Sequence, residues 1–217
     1  MKQIDGFVLN PCETEEDLLI AAKLRYRAYR NAEAIEEQKE EVFKDKYDAL
    51  ANAKTCLIYD NNEAVAAVRA CVYSREHHFM EIPSLEVYKE EIEKELGLDK
   101  VIVESNRFVI APEKVDSKIL FKIPFRFIIL NLHKFKGDFI ITAVREKHIP
   151  LYRRFLTMKP ISGLKKYPGI NVDMVLMAGD CNKNLQTVIN KESFFNIAQE
   201  EVDAYSISMQ ATHAGAR

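Results

Sequence analysis

The chain has 217 residues, 47% of them hydrophobic and 29% charged, and a net charge of −2. That is the profile of an ordinary globular protein, with one domain over residues 1–217 as the first expectation. No apolar run approaches the roughly 18 residues of a membrane span, and no long apolar region follows the charges of MKQIDGFVLN, so neither a span nor a secretion signal is expected. The four cysteines (Cys12, Cys56, Cys71, Cys181) are far apart and form no C-x-x-C. This argues against a zinc site or redox pair and fits packing thiols in a reducing cytoplasm.

In chain order, KQIDGFVLN reads as a first short strand. Thr14 followed by Asp17 resembles a helix N-cap with an acidic third residue, and Leu18, Ala21, Ala22, Leu24, Ala28 and Tyr29 keep helical spacing. The acidic, weakly periodic stretch from Asn31 to Leu50 reads as helix and mobile loop. KTCLIYDNNEAVAAVRACVY is a hairpin turning at Asp60–Glu63. A surface connection follows, with a short helix near Glu86–Leu96 closed by Gly97. His77 and His78 lie on that connection without carboxylates at ligand spacing, so no metal site is read there.

VIVESNRFVIAP is the fourth expected strand, and it places Glu104, Ser105, Asn106 and Arg107 between two apolar runs. A buried charge is costly unless it is paired. DSKILFKIPFRFIILNLHKFKG reads as a helix ending at Gly137, and Pro124 either kinks it or marks its start. DFIITAVR is a strand, EKHIPLYRRFL a short helix, and KPISGL and INVDMVLMA the last strands. From about residue 178 the chain becomes a polar extension with room for one helix and a frayed end. The element order is α+β or mixed α/β, with a strand–helix–strand unit able to form a parallel pair.

Four pieces carry a resemblance. LRYRAY holds Arg25 and, one helical turn on, Tyr29; FKDKYDAL holds Asp45 and Asp48; AVRAC holds Arg69; ESNRF holds Glu104 and Arg107. Together, in this order, they resemble the acyl-homoserine-lactone (autoinducer) synthases and the related N-acyl amino acid synthases of the GNAT acyltransferase fold. The resemblance covers about residues 20–110. It implies a central, mostly antiparallel splayed sheet flanked by helices. It also implies acyl transfer to an amine from acyl carrier protein or acyl-CoA. Two departures matter. The lactone branch usually carries a tryptophan after the first arginine, and this chain has none. The glycine-rich pyrophosphate loop of ordinary coenzyme A enzymes is replaced by APEKVDSKIL.

Residues three apart on a flat strand face opposite sides, so Glu104 and Arg107 share a face only across a bulge, with Ser105-Asn106 a suitable place. In the related fold the strand parts there from its neighbour to admit the thioester. The expected roles follow. Glu104 is the base, a freed N–H between Ser105 and Arg107 stabilises the oxyanion, and Arg69 and Arg107 hold an acceptor carboxylate. Asp45 and Asp48 bind the acceptor ammonium or fix Arg25 and Arg69. Tyr29 belongs to the same substrate-binding set, and Tyr152 matches the position where such enzymes often carry a tyrosine near the leaving thiolate. The bland alternatives are a purely structural ion-pair network and a core tyrosine.

Between Lys114 and Lys159 eleven Lys/Arg face three Asp/Glu, so this segment is +8 and the rest −10. Within it Lys114, Lys118, Lys122 and Arg126 recur every four residues. On a helix they form one stripe, either a dock for an acidic carrier protein or a wet helix face. Nucleic acid is disfavoured by the overall negative charge and the lack of a recognised motif. The first reading is therefore an N-acyltransferase acting on an amino acid, without metal. The alternatives are a homoserine-lactone synthase using S-adenosylmethionine and a non-catalytic relative that binds an acyl chain or amino acid.

Overall fold

The computed structural model describes residues 2–167, 169–191 and 193–211. The first expected strand is two, β1 (Lys2–Ile4) and β2 (Phe7–Pro11), because Asp5 and Gly6 both take positive φ and fold a two-residue hairpin. α1 (Glu15–Asn31) starts on a full capping box, the Thr14 hydroxyl accepting from Asp17 N and the Asp17 carboxylate accepting from Thr14 N. The acidic stretch after it does not form an α-helix. It runs as loop with Glu33 and Glu41 in the left-handed region, closing in a 3-10 turn at Lys46–Ala49 capped by Asp45.

β3 (Ala53–Asp60) and β4 (Glu63–Tyr73) form the expected hairpin across Asn61-Asn62, both at positive φ. α2 (Leu85–Glu95) is followed by Gly97 at φ +84. Next come β5 (Ile102–Ile110), α3 (Lys118–Phe135), β6 (Phe139–Val144) and α4 (Ile149–Leu156). β7 (Lys159–Pro160) and β8 (Lys165–Lys166) are much shorter than KPISGL suggested, and both pair with β9 (Asp173–Asp180). The polar tail holds two helices rather than one, α5 (Cys181–Lys191) and α6 (Gln199–Ala211).

The sheet runs β1-β2-β3-β4-β5-β6-β9-β7, antiparallel throughout except for the parallel β5–β6 pair joined through α3. α3 packs on one face, against Val65, Val68, Ala70 and Val72 of β4 and Val103 of β5. Pro124 sits inside α3, where its missing N–H removes one helical bond without ending the helix. The C-terminal segment is not a loose appendage: Phe195, Val202 and Tyr205 join this core. Each such fully buried side chain contributes about 1.5–3 kcal/mol. On the other face lie α1, with Ala21 and Leu24 against Leu57, Ala67 and Val109, and α2, with Tyr88 and Ile92 against Tyr73, Ile102 and Leu176.

Candidate functional site

β5 decides the geometry of the site. Its first residues, Ile102, Val103 and Glu104, pair in parallel with Phe139, Ile140 and Ile141. Past Glu104 that ladder stops, while β6 continues to pair with β9 through Val144. The two neighbouring strands therefore part, as the resemblance implied. Against β4, Arg69 stands opposite Asn106 and Ala67 opposite Val109, so Val68 alone faces both Arg107 and Phe108. This is a β-bulge. It falls at Arg107–Phe108, just after the Ser105-Asn106 position expected, and Arg107 adopts φ +50. The shift puts Glu104, Asn106 and Arg107 all toward the α1–α2 face.

Where the strands part there is a cleft of about 400 Å³. Its inner walls include Asn106, Arg107, Phe108, Val109 and Ile110 on one side and Thr142, Ala143 and Val144 on the other. Tyr29 of α1 and Tyr152 of α4 line it, and so do Arg145, Lys147 and His148 near its rim. Two of the expected site residues thus meet Arg107 at the cleft: Tyr29 and Tyr152. Burial raises the Tyr152 hydroxyl above the usual phenol range, with Thr142 acting the other way. Its ring packs edge-on to Phe121 and Phe125.

The other expected substrate ligands do not line the cleft. Arg69 is 0% exposed, and each of its three guanidinium nitrogens has a partner. Its Nε donates to Asn106 Oδ1 at 2.7 Å, its Nη1 to Asp45 Oδ1 at 2.6 Å and Asp48 Oδ1 at 2.8 Å, and its Nη2 to Asp45 Oδ2 at 2.9 Å. Arg25 donates to Asp48 Oδ1 at 2.7 Å and to the Thr55 hydroxyl at 2.9 Å. Arg69 is sealed away from the cleft wall with all three guanidinium nitrogens bonded, so it is not placed to take a substrate carboxylate, and the aspartates are occupied by guanidinium groups rather than open to an ammonium. Burial alone would raise the Asp45 carboxyl, but the hydrogen bonds and charges of Arg69 and Arg107 outweigh it and hold it well below the usual range. Asp48 is lowered likewise, by Arg25 and Arg69 against its burial. Ser105 points to the α3 face and is buried outside the cleft.

Arg107 joins this network from the cleft side. Its Nε and Nη2 both approach Asp45 Oδ2, at 2.8 and 2.7 Å, and its guanidinium lies 4.8 Å from the Phe43 ring centre. Three arginines on two aspartates leave a net positive charge here, and Arg107 carries it to the cleft.

Glu104 departs from its expected position. It is 0% exposed and absent from the cleft wall. Its Oε2 accepts from Ser84 N at 2.9 Å and its Oε1 from the Tyr167 hydroxyl at 3.0 Å. Burial raises its carboxyl, and these hydrogen bonds offset the shift only in part. An incoming amine therefore cannot touch Glu104 directly. Tyr167, which does line the cleft, stands between them. The sequence reading missed Tyr167; its signal was a tyrosine before Pro-Gly in an otherwise polar connection. Gly169 is at φ +76, and a Cβ there would sit 3.3 Å from Phe43, so a glycine is needed for the loop to close over Arg107.

The lysine stripe is also corrected. Lys114 precedes α3 and pairs with Asp60 at 3.0 Å, and Lys122 lies 5.5 Å from the Phe155 ring centre. Arg126 is buried: it donates to the carbonyls of Phe194 and Asn196 and to Glu201 Oε2 at 2.6 Å, clamping the C-terminal segment to α3. Lys118 is exposed and Lys114 and Lys122 are partly so, but Arg126 is buried, so the four do not form one surface. The helical repeat was real, but the α3 face bearing Arg126 is covered by the segment after α5.

A family model described as N-acyl amino acid synthase FeeM matches residues 20–180. A search of curated proteins found no match. Among solved structures, FeeM, an N-acyl amino acid synthase from uncultured soil microbes, aligns with a TM-score of 0.68 at 14% identity, over 82% of this chain and 92% of its own. The AHL synthase LasI aligns at 0.62 and 16% identity, over 85% and 94%. The CoA-dependent acyl-homoserine lactone synthase BjaI aligns at 0.64 and 10% identity, over 93% and 100%. These structural likenesses concern the fold, whereas the family match spans most of the chain. The chain belongs to the N-acyl amino acid synthase FeeM family and is an N-acyltransferase.

Proposed function

We propose that this enzyme moves a fatty acyl chain from the phosphopantetheine thioester of an acyl carrier protein, or from acyl-CoA, to the α-amine of an amino acid. The observation that carries this reading is the parting of β5 from β6 beside a bulge at Arg107. The gap has mostly apolar walls, from Phe108, Val109, Ile110, Val144 and Leu151, which suit an alkyl chain and a pantetheine arm. The bulge takes a backbone N–H out of the ladder, a donor suited to the oxyanion of a tetrahedral intermediate. Arg107 binds the acceptor's carboxylate: its Nη1 has no partner among the described residues, unlike its Nε and Nη2. Transfer forms the C–N bond, breaks the C–S bond and releases a thiol.

The donor is drawn to the site by positive charge at the cleft mouth. Arg145 and Lys147 line it, and Arg153 and Arg154 lie exposed on α4, the helix that also carries Tyr152. Carrier proteins are acidic, and such a rim speeds their encounter. No glycine-rich loop follows β5 to cradle a diphosphate, which favours the carrier protein over coenzyme A. A reducing cytoplasm, where both donors occur, suits four free buried thiols.

The test is direct. Purified enzyme is incubated with acyl carrier protein or coenzyme A thioesters of graded chain length and with a mixture of amino acids, and products are read by mass spectrometry. N-acyl amino acids are the expected products. Lactones with S-adenosylmethionine as acceptor would transfer the enzyme to the autoinducer branch, and no turnover with either acceptor would overturn the reading.

A further inference from the structure

Resting on that reading, we propose that Tyr167 is the residue through which the acceptor amine gives up its proton. A phenol has one hydrogen to donate and two lone pairs to offer. The Tyr167 hydroxyl spends its hydrogen on Glu104 Oε1, 3.0 Å away. What it presents to the cleft is therefore a lone pair, which is what an amine N–H requires. Its place is fixed from three sides. Glu104 holds the oxygen, and the Arg107 guanidinium lies 5.8 Å from the ring centre. Gly169 at φ +76 turns the loop tightly enough to press against Phe43 beside Arg107. The charged groups around the hydroxyl are Glu104 and Arg107 of β5 and Arg69 of β4. An amino acid whose carboxylate sits on Arg107 thus has its nitrogen directed toward this oxygen.

The step balances without any further reactant. The neutral amine attacks the thioester carbon. As the C–N bond forms, the amine proton passes to the Tyr167 oxygen and the Tyr167 proton passes to Glu104 Oε1. The C–S bond then breaks, and the proton held on Glu104 returns through Tyr167 to the departing thiolate. Tyr167 touches the reacting nitrogen and is catalytic. Glu104, sealed behind it with its second oxygen on Ser84 N at 2.9 Å, acts through Tyr167 as a positioning residue.

Tyr167→Phe keeps the ring and its packing. With the donor thioester and an accepted amino acid, it should lower kcat about 100-fold, the lower end of what a positioned proton acceptor contributes, while KM for the donor stays within about threefold. Glu104→Gln should fall comparably, and the Y167F/E104Q double variant should be no slower than the slower single variant, because the two residues work as one unit. Binding without turnover gives a second readout. Wild-type enzyme should bind an amino acid more tightly than the same acid lacking its amine, and Tyr167→Phe should erase that difference. Product formation by the wild type with Tyr167→Phe equally fast, or with the two losses multiplying, overturns the Tyr167 assignment alone. A wild type that forms no N-acyl amino acid overturns the parent reading and this one with it.

Discussion

Asp45→Asn keeps the shape of the side chain and removes one charge from the middle of the arginine network. Asp45 receives both Arg69 and Arg107, and its carboxylate is the acidic partner of Arg107. Arg69 keeps Asp48 at 2.8 Å, but Arg107 is left buried and uncompensated. Breaking a buried pair from one side costs about 3–5 kcal/mol. Because the Asp45 side chain is 18% exposed, the lower end, about 3 kcal/mol, is the expectation here. For a chain of this size that corresponds to a fall of about 6–12 °C in Tm. The Arg107 backbone adds a second effect. Its left-handed conformation at φ +50 costs on the order of 1–3 kcal/mol, and the bond to Asp45 holds it there. Asp45→Asn should therefore also raise KM for the amino acid by loosening the bulge. The chain contains no tryptophan, so unfolding is best followed by circular dichroism. The pH dependence has a definite sign. The folded carboxyl lies below its ordinary value near 3.8, so its contribution is full above that value and is lost as pH falls below it. The gap between wild type and D45N should be full at pH 7 and close in acid. A variant that melts within about 1 kcal/mol of wild type at pH 7, or whose deficit does not depend on pH, would refute the network as a source of stability.

Glu104 gives the opposite sign. Its carboxyl is raised by burial, so the wild type forfeits stability as pH rises from the ordinary value near 4.5; E104Q should gain on wild type over that range in thermal melts, and a pH-independent difference would count against a buried carboxylate whose hydrogen bonds only partly offset its desolvation. Arg126→Leu frees the carbonyls of Phe194 and Asn196 and leaves Glu201 without its 2.6 Å partner. Limited proteolysis should then cut near residue 194 about tenfold faster while cleavage elsewhere is unchanged. Phe125→Ala removes a ring that is 1% exposed between Phe108, Phe121 and Tyr152, and it should cost about 3–5 kcal/mol in denaturant titration. In product assays the added space should also widen the range of accepted acyl chains.

The order of strands and helices was legible because each long element carried its own period or cap: the Thr14–Asp17 box, the hairpin around Asn61-Asn62, the apolar runs flanking Glu104. Elements supported only by tertiary contacts were not. β7 and β8 exist because β9 offers partners, and no local pattern announces two-residue strands. The polar tail was read as an extension because Phe195, Val202 and Tyr205 are widely spaced among charges, yet α3 covers all three. At the site, sequence placed the charged residues in one neighbourhood but did not reveal which face the cleft. That depends on a one-residue bulge shift, which brings the largely buried Arg107 to the cleft wall while Arg69 and Glu104 stay sealed behind it. Arg126 leaves the lysine stripe for a related reason: periodicity gives a helix face, whereas the partner of that face comes from a segment seventy residues later. Tyr167 had no periodic signal at all, since its role follows from a loop that a glycine at positive φ folds over Arg107.

The central claim is that the acyl thioester enters where β5 leaves β6. A crystal structure with a stable acyl-pantetheine thioether would test it most directly. The account predicts the sulfur between Phe108 and Val144, with the carbonyl oxygen toward the backbone at Arg107–Phe108. A ligand seated elsewhere, with residues 105–110 and 142–144 closed on each other, would contradict it.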